Sequence, residues 1–175
     1  MPSYFIRKAV PADTRGIHDA HMQSIREVCA REHTPEEIAA WGGRAYDEAW
    51  RLKNIAEHLV WVVVSRSSEI FGFADFEIVA DAKTQEKFGY LHALYFRPEA
   101  IGHGLGKKML AEMFSVAREQ GLRKIGLNST LNSQDFYRKF GFQDTSPMIT
   151  KTINGVGVRC IPMELIISTA DGVMK

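Results

Sequence analysis

The stretch Arg97-Pro-Glu-Ala-Ile-Gly-His-Gly-Leu-Gly106 constrains this chain more than any other, because it joins the apolar run YLHALYF (90–96) directly to a helix-type segment, KKMLAEMFSVAREQ (107–120). Glycines at 102, 104 and 106 let the backbone bend sharply and come close to a ligand. Successive amides at a helix start, reinforced by the helix dipole and by Lys107 and Lys108, form an anion site suited to a phosphate or pyrophosphate. The spacing is neither GxGxxG nor a Walker A sequence, which would carry Ser or Thr after the lysine. A plain glycine-rich turn remains the bland alternative until the rest of the chain is read.

The flanking patterns predict an α/β fold with a mixed sheet. Residues 4–10 (YFIRKAV) read as a strand ending at Pro11, and Asp13 can cap a helix to about Ala30 with Ile17, Ala20, Ile25, Val28 and Cys29 inward. Thr34-Pro35-Glu36-Glu37 is a helix start that runs to Gly42-Gly43, and a short helix is expected around 45–58. VWVVVSR (60–66) and IFGFADFEIVA (70–80) form a hairpin across Ser67-Ser68-Glu69, and 90–98 is the next strand. Gly121 ends the helix after the glycine loop, on which Met109, Met113 and Val116 share a face. KIGLNST (124–130) is a strand and NSQDFYRKFGF (132–142) a short helix. MITKTI (148–153) and VGVRCIPMELII (156–167) close the chain as a hairpin, since Asn154-Gly155 suits a type I′ turn.

At 175 residues the expectation is one domain over 1–175 with a short tail from about 168. The 22 Lys and Arg against 21 Asp and Glu remove the electrostatic footprint of a general nucleic-acid binder. Cys29 and Cys160 are too few for a disulfide framework or a Cys-rich zinc site. No signal-type N-terminus or 18-residue apolar run is present, so no membrane partner is expected and a cytoplasmic location is the default reading.

LYFRPEAIGHGLGKKML resembles the acyl-CoA signature of the GNAT acyltransferase superfamily, with Gly104 and Gly106 on its two glycines, and LNSTLNSQDFYRKFGF is similar to that superfamily's second signature. The order of elements also fits, so the likeness covers nearly the whole chain. It implies a GNAT-like, mostly antiparallel central sheet flanked by helices, acetyl-CoA as co-substrate and an amine as acceptor. It also implies that the glycine-loop strand splays from its neighbour, leaving backbone at Leu94, Tyr95 and Phe96 free for pantetheine. The loop itself (Ile101, Gly102, His103, Gly104, Leu105, Gly106, Lys107) would take the pyrophosphate. The superfamily carries Gln or Arg where this chain has Ile101, so here the amides from His103 to Lys107 carry more of that binding.

Direct attack of an amine on a thioester needs a neutral amine, a stabilised oxyanion and a protonated leaving thiolate, and no nucleophilic residue or metal. The resemblance makes Tyr137 the general acid, with Phe136 and Phe140 expected on a core-facing stripe beside it. Asn132 either caps the short helix or holds pantetheine, and the two roles are compatible. His92 is the candidate base because histidine titrates nearest neutral pH. Glu77 and Tyr90 are alternatives, Tyr90 sharing a strand face with His92. The acceptor should meet the N-terminal helices, where His21, Ser24 and Ile25 span one turn and Trp41 can wall a pocket. The reading is a GNAT-type N-acetyltransferase acting on a primary amine of a small molecule or peptide, with a homodimer left open. A non-catalytic acyl-CoA binding module is the rival, and a domain that binds no nucleotide is the second.

Overall fold

The computed structural model describes residues 3–167, so the tail expected from about 168 lies outside the described residues. Eight strands are present: β1 (Phe5–Lys8), β2 (Leu59–Val64), β3 (Ile70–Ala80), β4 (Lys87–Phe96), β5 (Lys124–Ser129), β6 (Gln143–Asp144), β7 (Ile149–Ile153) and β8 (Val156–Ile166). They run in the order β1-β2-β3-β4-β5-β8-β6, with β7 paired to β8. Every ladder is antiparallel except β4–β5, which is parallel. The helices are α1 (Thr14–Glu27), α2 (Pro35–Gly42), α3 (Glu48–Glu57), α4 (Leu105–Glu119) and α5 (Gln134–Arg138).

The sheet has helices on both faces. On one face α4 buries Met109, Leu110, Met113 and Ala117 against Phe76, Leu91, Ile125 and Leu127. Those helical positions recur at i, i+1, i+4 and i+8, the spacing of an apolar stripe. On the other face Ile17 and Ala20 of α1 pack on Val60, Val62 and Phe73. Beyond them Met22, Ile25, Cys29, Trp41 and Val158 join α1 and α2 to β8.

Several expected boundaries shift for physical reasons. Asp13 does not cap α1 with its side chain; its carboxylate instead takes Arg7 at 2.6 and 2.9 Å and the Val10 amide at 2.8 Å. The first helix stops at Glu27 and a separate 3₁₀ turn covers Cys29–Arg31. The short helix expected over 132–142 divides into a 3₁₀ turn, Leu131–Ser133, and the five residues of α5. The glycine-loop strand starts at Lys87, earlier than its apolar run suggests, because Lys87 through Gly89 extend the ladder with β3. Thr34 caps α2 as expected, and Asn154 (φ 48°) with Gly155 (φ 79°) forms the turn between β7 and β8.

Candidate active site

The site begins where β4 leaves β5. Parallel pairing covers only Gly89–Leu91 against Ile125–Leu127, whereas β4 stays paired with β3 as far as Phe96. Residues 92–96 therefore keep one edge of backbone clear of β5, and unpaired backbone in a dry cleft favours a ligand that bonds to it. A cavity of about 730 Å³ occupies this opening, lined by Leu94, Tyr95, Phe96, Asn132, Phe136, Tyr137 and much of the glycine loop.

The loop is shaped for an anion. Gly102 (φ 85°) and Gly104 (φ 70°) lie in the left-handed region, and a Cβ on either would meet no atom within 4 Å. Gly106 serves a different need, because a Cβ there would come within 2.9 Å of the Phe136 ring, so its absence lets α4 and α5 approach. The first helical bond of α4 runs from the Lys108 amide to the Gly104 carbonyl at 3.2 Å. The amides of Leu105, Gly106 and Lys107 are thus left without an intrahelical acceptor.

A second cavity, of about 320 Å³, lies on the α1 side of β4 and shares Tyr95 with the first. It is lined by His21, Trp41, Arg44, Trp50, Arg51, Asn54, His58, Phe73, Asp75, His92 and Ala93. His92 is the extra residue of a β-bulge: Leu91 opposes Phe76 and Ala93 opposes Asp75, so His92 has no partner on β3. Bulges re-aim side chains in this way. The His92 Nε2 donates to Glu77 Oε2 at 2.7 Å. That bond leaves Nδ1 free to accept a proton. His58 stacks on His92 with ring centroids 5.2 Å apart and an interplanar angle of 10°. The buried Asp75 accepts from His58 Nδ1 at 2.6 Å and from Asn54 Nδ2 at 3.1 Å. His58 Nε2, 3.6 Å from Glu77 Oε2, is left as the open nitrogen of that ring.

Tyr137 is buried and lines the first cavity, and burial pushes its phenol above the usual range. Phe136 and Phe140 pack half-buried against the core as expected, but Tyr137 is the buried residue of α5, packed edge-on against Phe136 and Phe142. Burial also raises the Tyr95 phenol well above its ordinary value and lowers His21 well below its own, the nearby Arg44 and Arg51 adding to the latter. The Cys29 thiol beside the first cavity is pushed up to about 12 by burial, which keeps it out of nucleophilic chemistry.

The expected residues divide between the two cavities. Leu105, Gly102, Gly104, Gly106, Ile101 and Lys107 line the first, but His103 does not; its ring lies edge-on to Tyr4. Asn132 faces the first cavity and does not cap α5, whose preceding residue is Ser133. Ser24, expected at the acceptor, lines the first cavity, while His21 and Trp41 line the second. Ile25 is fully buried in the core and reaches neither, so it leaves the acceptor set. Tyr90 lies beside His92 and accepts a hydrogen bond from Asn128, outside the second cavity's lining. His58, Asp75, Asn54, Arg44 and Arg51 are absent from the sequence reading. Asp75, two residues before Glu77 inside the otherwise apolar run IFGFADFEIVA, and the i, i+3, i+7 spacing of Arg51, Asn54 and His58, were the signals available.

Residues 22–142 match the Acetyltransferase (GNAT) family. The chain belongs to that family. It is 25% identical over 135 residues to the aminoglycoside N(6')-acetyltransferase type 1 of Stenotrophomonas maltophilia, covering 68% of this chain and 88% of that protein. The fold is similar to a GCN5-related N-acetyltransferase from Rhodopseudomonas palustris, with a TM-score of 0.79 and 21% identity over 95% of this chain and 98% of that one. It is also similar to the PaiA N-acetyltransferase of Thermoplasma acidophilum in complex with coenzyme A, with a TM-score of 0.74, 22% identity, and 94% and 99% coverage. As a GNAT acetyltransferase the chain uses acetyl-CoA as its co-substrate, and its residues fit that role: three orphan amides at the start of α4, open space over Gly102 and Gly104, and a free β4 edge face one cavity. Among the described residues no helix is long and apolar enough to cross a membrane.

Proposed function

We propose that the chain works as one acyltransferase domain that passes an acetyl group directly to a primary amine seated in the second cavity. When bound, acetyl-CoA supplies an acetyl group already activated as a thioester. The amides of Leu105, Gly106 and Lys107 hold the pyrophosphate, and the free β4 edge at Leu94, Tyr95 and Phe96 orients the pantetheine arm beside Asn132. His92 Nδ1 takes the proton from the amine, with Glu77 fixing the ring through Nε2 and His58, itself held by Asp75, stacked beneath it. Tyr137 Oη gives a proton to the departing sulfur, and its raised pKa keeps it protonated until that moment.

The observation that carries this reading is the β4 bulge, which turns His92 into the acceptor cavity just where β4 parts from β5. The test is the pH profile of kcat/KM with a turned-over amine. In wild type kcat/KM rises with pH as an imidazole loses its proton, because only the neutral ring accepts one. His92→Gln is expected to remove that limb and to lower kcat/KM by about 10²-fold, leaving any higher-pH limb due to the amine itself. A His92→Gln enzyme with wild-type rate and profile would move the base to His58, Glu77 or an ordered water.

A further inference from the structure

Two arginines of the second cavity have no role in the acetyl transfer proposed above, and among the described residues neither forms an ion pair with a carboxylate. Arg51 is only 5% exposed and is reached by no carboxylate within ion-pair distance among the described residues. Its Nη2 donates to His21 Nδ1 at 3.0 Å, and its guanidinium lies over Trp50 and Phe73. Arg44 donates from Nε to the Trp41 carbonyl at 3.1 Å and holds Nη2 3.5 Å from the other nitrogen of His21. Each guanidinium has five N–H donors, so most remain unspent. Asp75 is the one carboxylate in the cavity's lining, and its two oxygens are taken by His58 and Asn54. Burial lowers Arg51 to about 10, the charge of Arg44 adds to the effect, and the charge of Asp75 offsets only part of it.

A buried guanidinium that no carboxylate contacts is costly, and its planar paired donors suit the oxygen pair of a carboxylate or phosphonate guest. We propose that the acceptor is a small zwitterionic amine of the amino-acid type, whose oxyanion docks on Arg51 and Arg44 while its amine reaches His92. This rests on the acetyl-transfer reading above and names the substrate class within it. The span of the cavity suits a small guest. Arg51 and His58 stand two helical turns apart along α3 and its end, about 10 Å by the rise of an α-helix. Asn54 sits between them on the same face, and all three line the cavity. Trp41, Phe73 and Tyr95 give the space between the two ends aromatic walls. A polycation would bring its amine and leave the arginines uncompensated, so the aminoglycoside acceptor named for the Stenotrophomonas relative does not suit this cavity.

The experiment pairs acids with their acid-free counterparts. The common α-amino acids and aminomethylphosphonate, the amines lacking each acid group, and one aminoglycoside are offered to the enzyme with acetyl-CoA, reading thiol release and, separately, the ligand-induced rise in melting temperature. At least one acid-bearing amine is expected to be acetylated with kcat/KM about 10²-fold above its acid-free counterpart, and the carboxylate and phosphonate members distinguish the two oxyanion sources. Arg51→Gln and Arg44→Gln should each raise KM for that acid by about 10²-fold, Arg51→Lys by less, while the melting shift given by CoA alone persists as the measure of folding. Better turnover of the acid-free amine or of the aminoglycoside overturns the proposal, as does the absence of any binding by the acids. An acid that binds wild type, loses binding in Arg51→Gln and is never acetylated upholds the clamp and overturns the transfer reading instead.

Discussion

Tyr137 shows how one residue takes its chemistry from its surroundings. Packed against Phe136 and Phe142 with its pKa raised by burial, it stays a neutral phenol across the physiological range, the state a proton donor needs. Tyr137→Phe keeps the ring and its packing and deletes only the hydroxyl. Steady-state kinetics should find kcat lowered by about 10- to 10⁴-fold with acetyl-CoA affinity little changed. An unchanged kcat would make Tyr137 a packing residue and send the proton to the sulfur by another route. The FY pair was legible from its motif, and the spacing that turns Phe136 and Phe140 toward the core holds, but the burial of Tyr137 was not legible, since it depends on the close approach of α4 to Phe136 over Gly106.

At the scale of elements, one carboxylate ties α2 to β8 alongside the apolar contacts of Trp41. Glu37 accepts the Thr34 amide at 2.7 Å and also receives Arg159 of β8 through its amide at 3.0 Å, Nε at 2.8 Å and Nη2 at 2.8 Å. The first of these bonds is the second half of a capping box. Arg159, first among the causes, pulls Glu37 far below its ordinary pKa. A depressed carboxylate stabilises the folded state above its unfolded value of about 4.3, and that contribution is lost as pH falls through the lower folded value. The melting temperatures of wild type and Glu37→Gln should therefore lie several degrees apart at pH 7 and converge toward pH 3. Thr34→Ala should cost about 1 kcal/mol at both pH values, since a hydroxyl cap does not titrate. A gap for Glu37→Gln that stays constant with pH would contradict this linkage. The cap was readable in Thr34-Pro35-Glu36-Glu37, whereas its long-range partner was not, because Arg159 is 122 residues away from Glu37 and meets it only when α2 lies on β8.

Taken whole, the molecule has one cavity in the opening between β4 and β5 and another across β4, with Tyr95 in the wall common to both. The first half was legible because loop, strand and helix are contiguous in sequence. The second half assembles from α1, α2, the α2–α3 connection, α3, β3 and β4, whose polar residues are scattered among ordinary apolar patterns, so Arg44, Arg51, His58 and Asp75 carry no local signature. Everything proposed for the chemistry depends on acetyl-CoA lying in the opening with its pyrophosphate on the glycine loop. Melting temperature against acetyl-CoA concentration, for wild type and Gly104→Val, tests this most directly. At about 100 times the dissociation constant, wild type should gain about 2.7 kcal/mol, roughly 5 to 11 °C for a chain of this size. Gly104→Val forces a β-branched residue into the left-handed region and fills the space over the loop, so it should fold with a lower melting temperature and lose most of the acetyl-CoA shift. A folded Gly104→Val protein with an undiminished shift would place acetyl-CoA elsewhere and contradict the account.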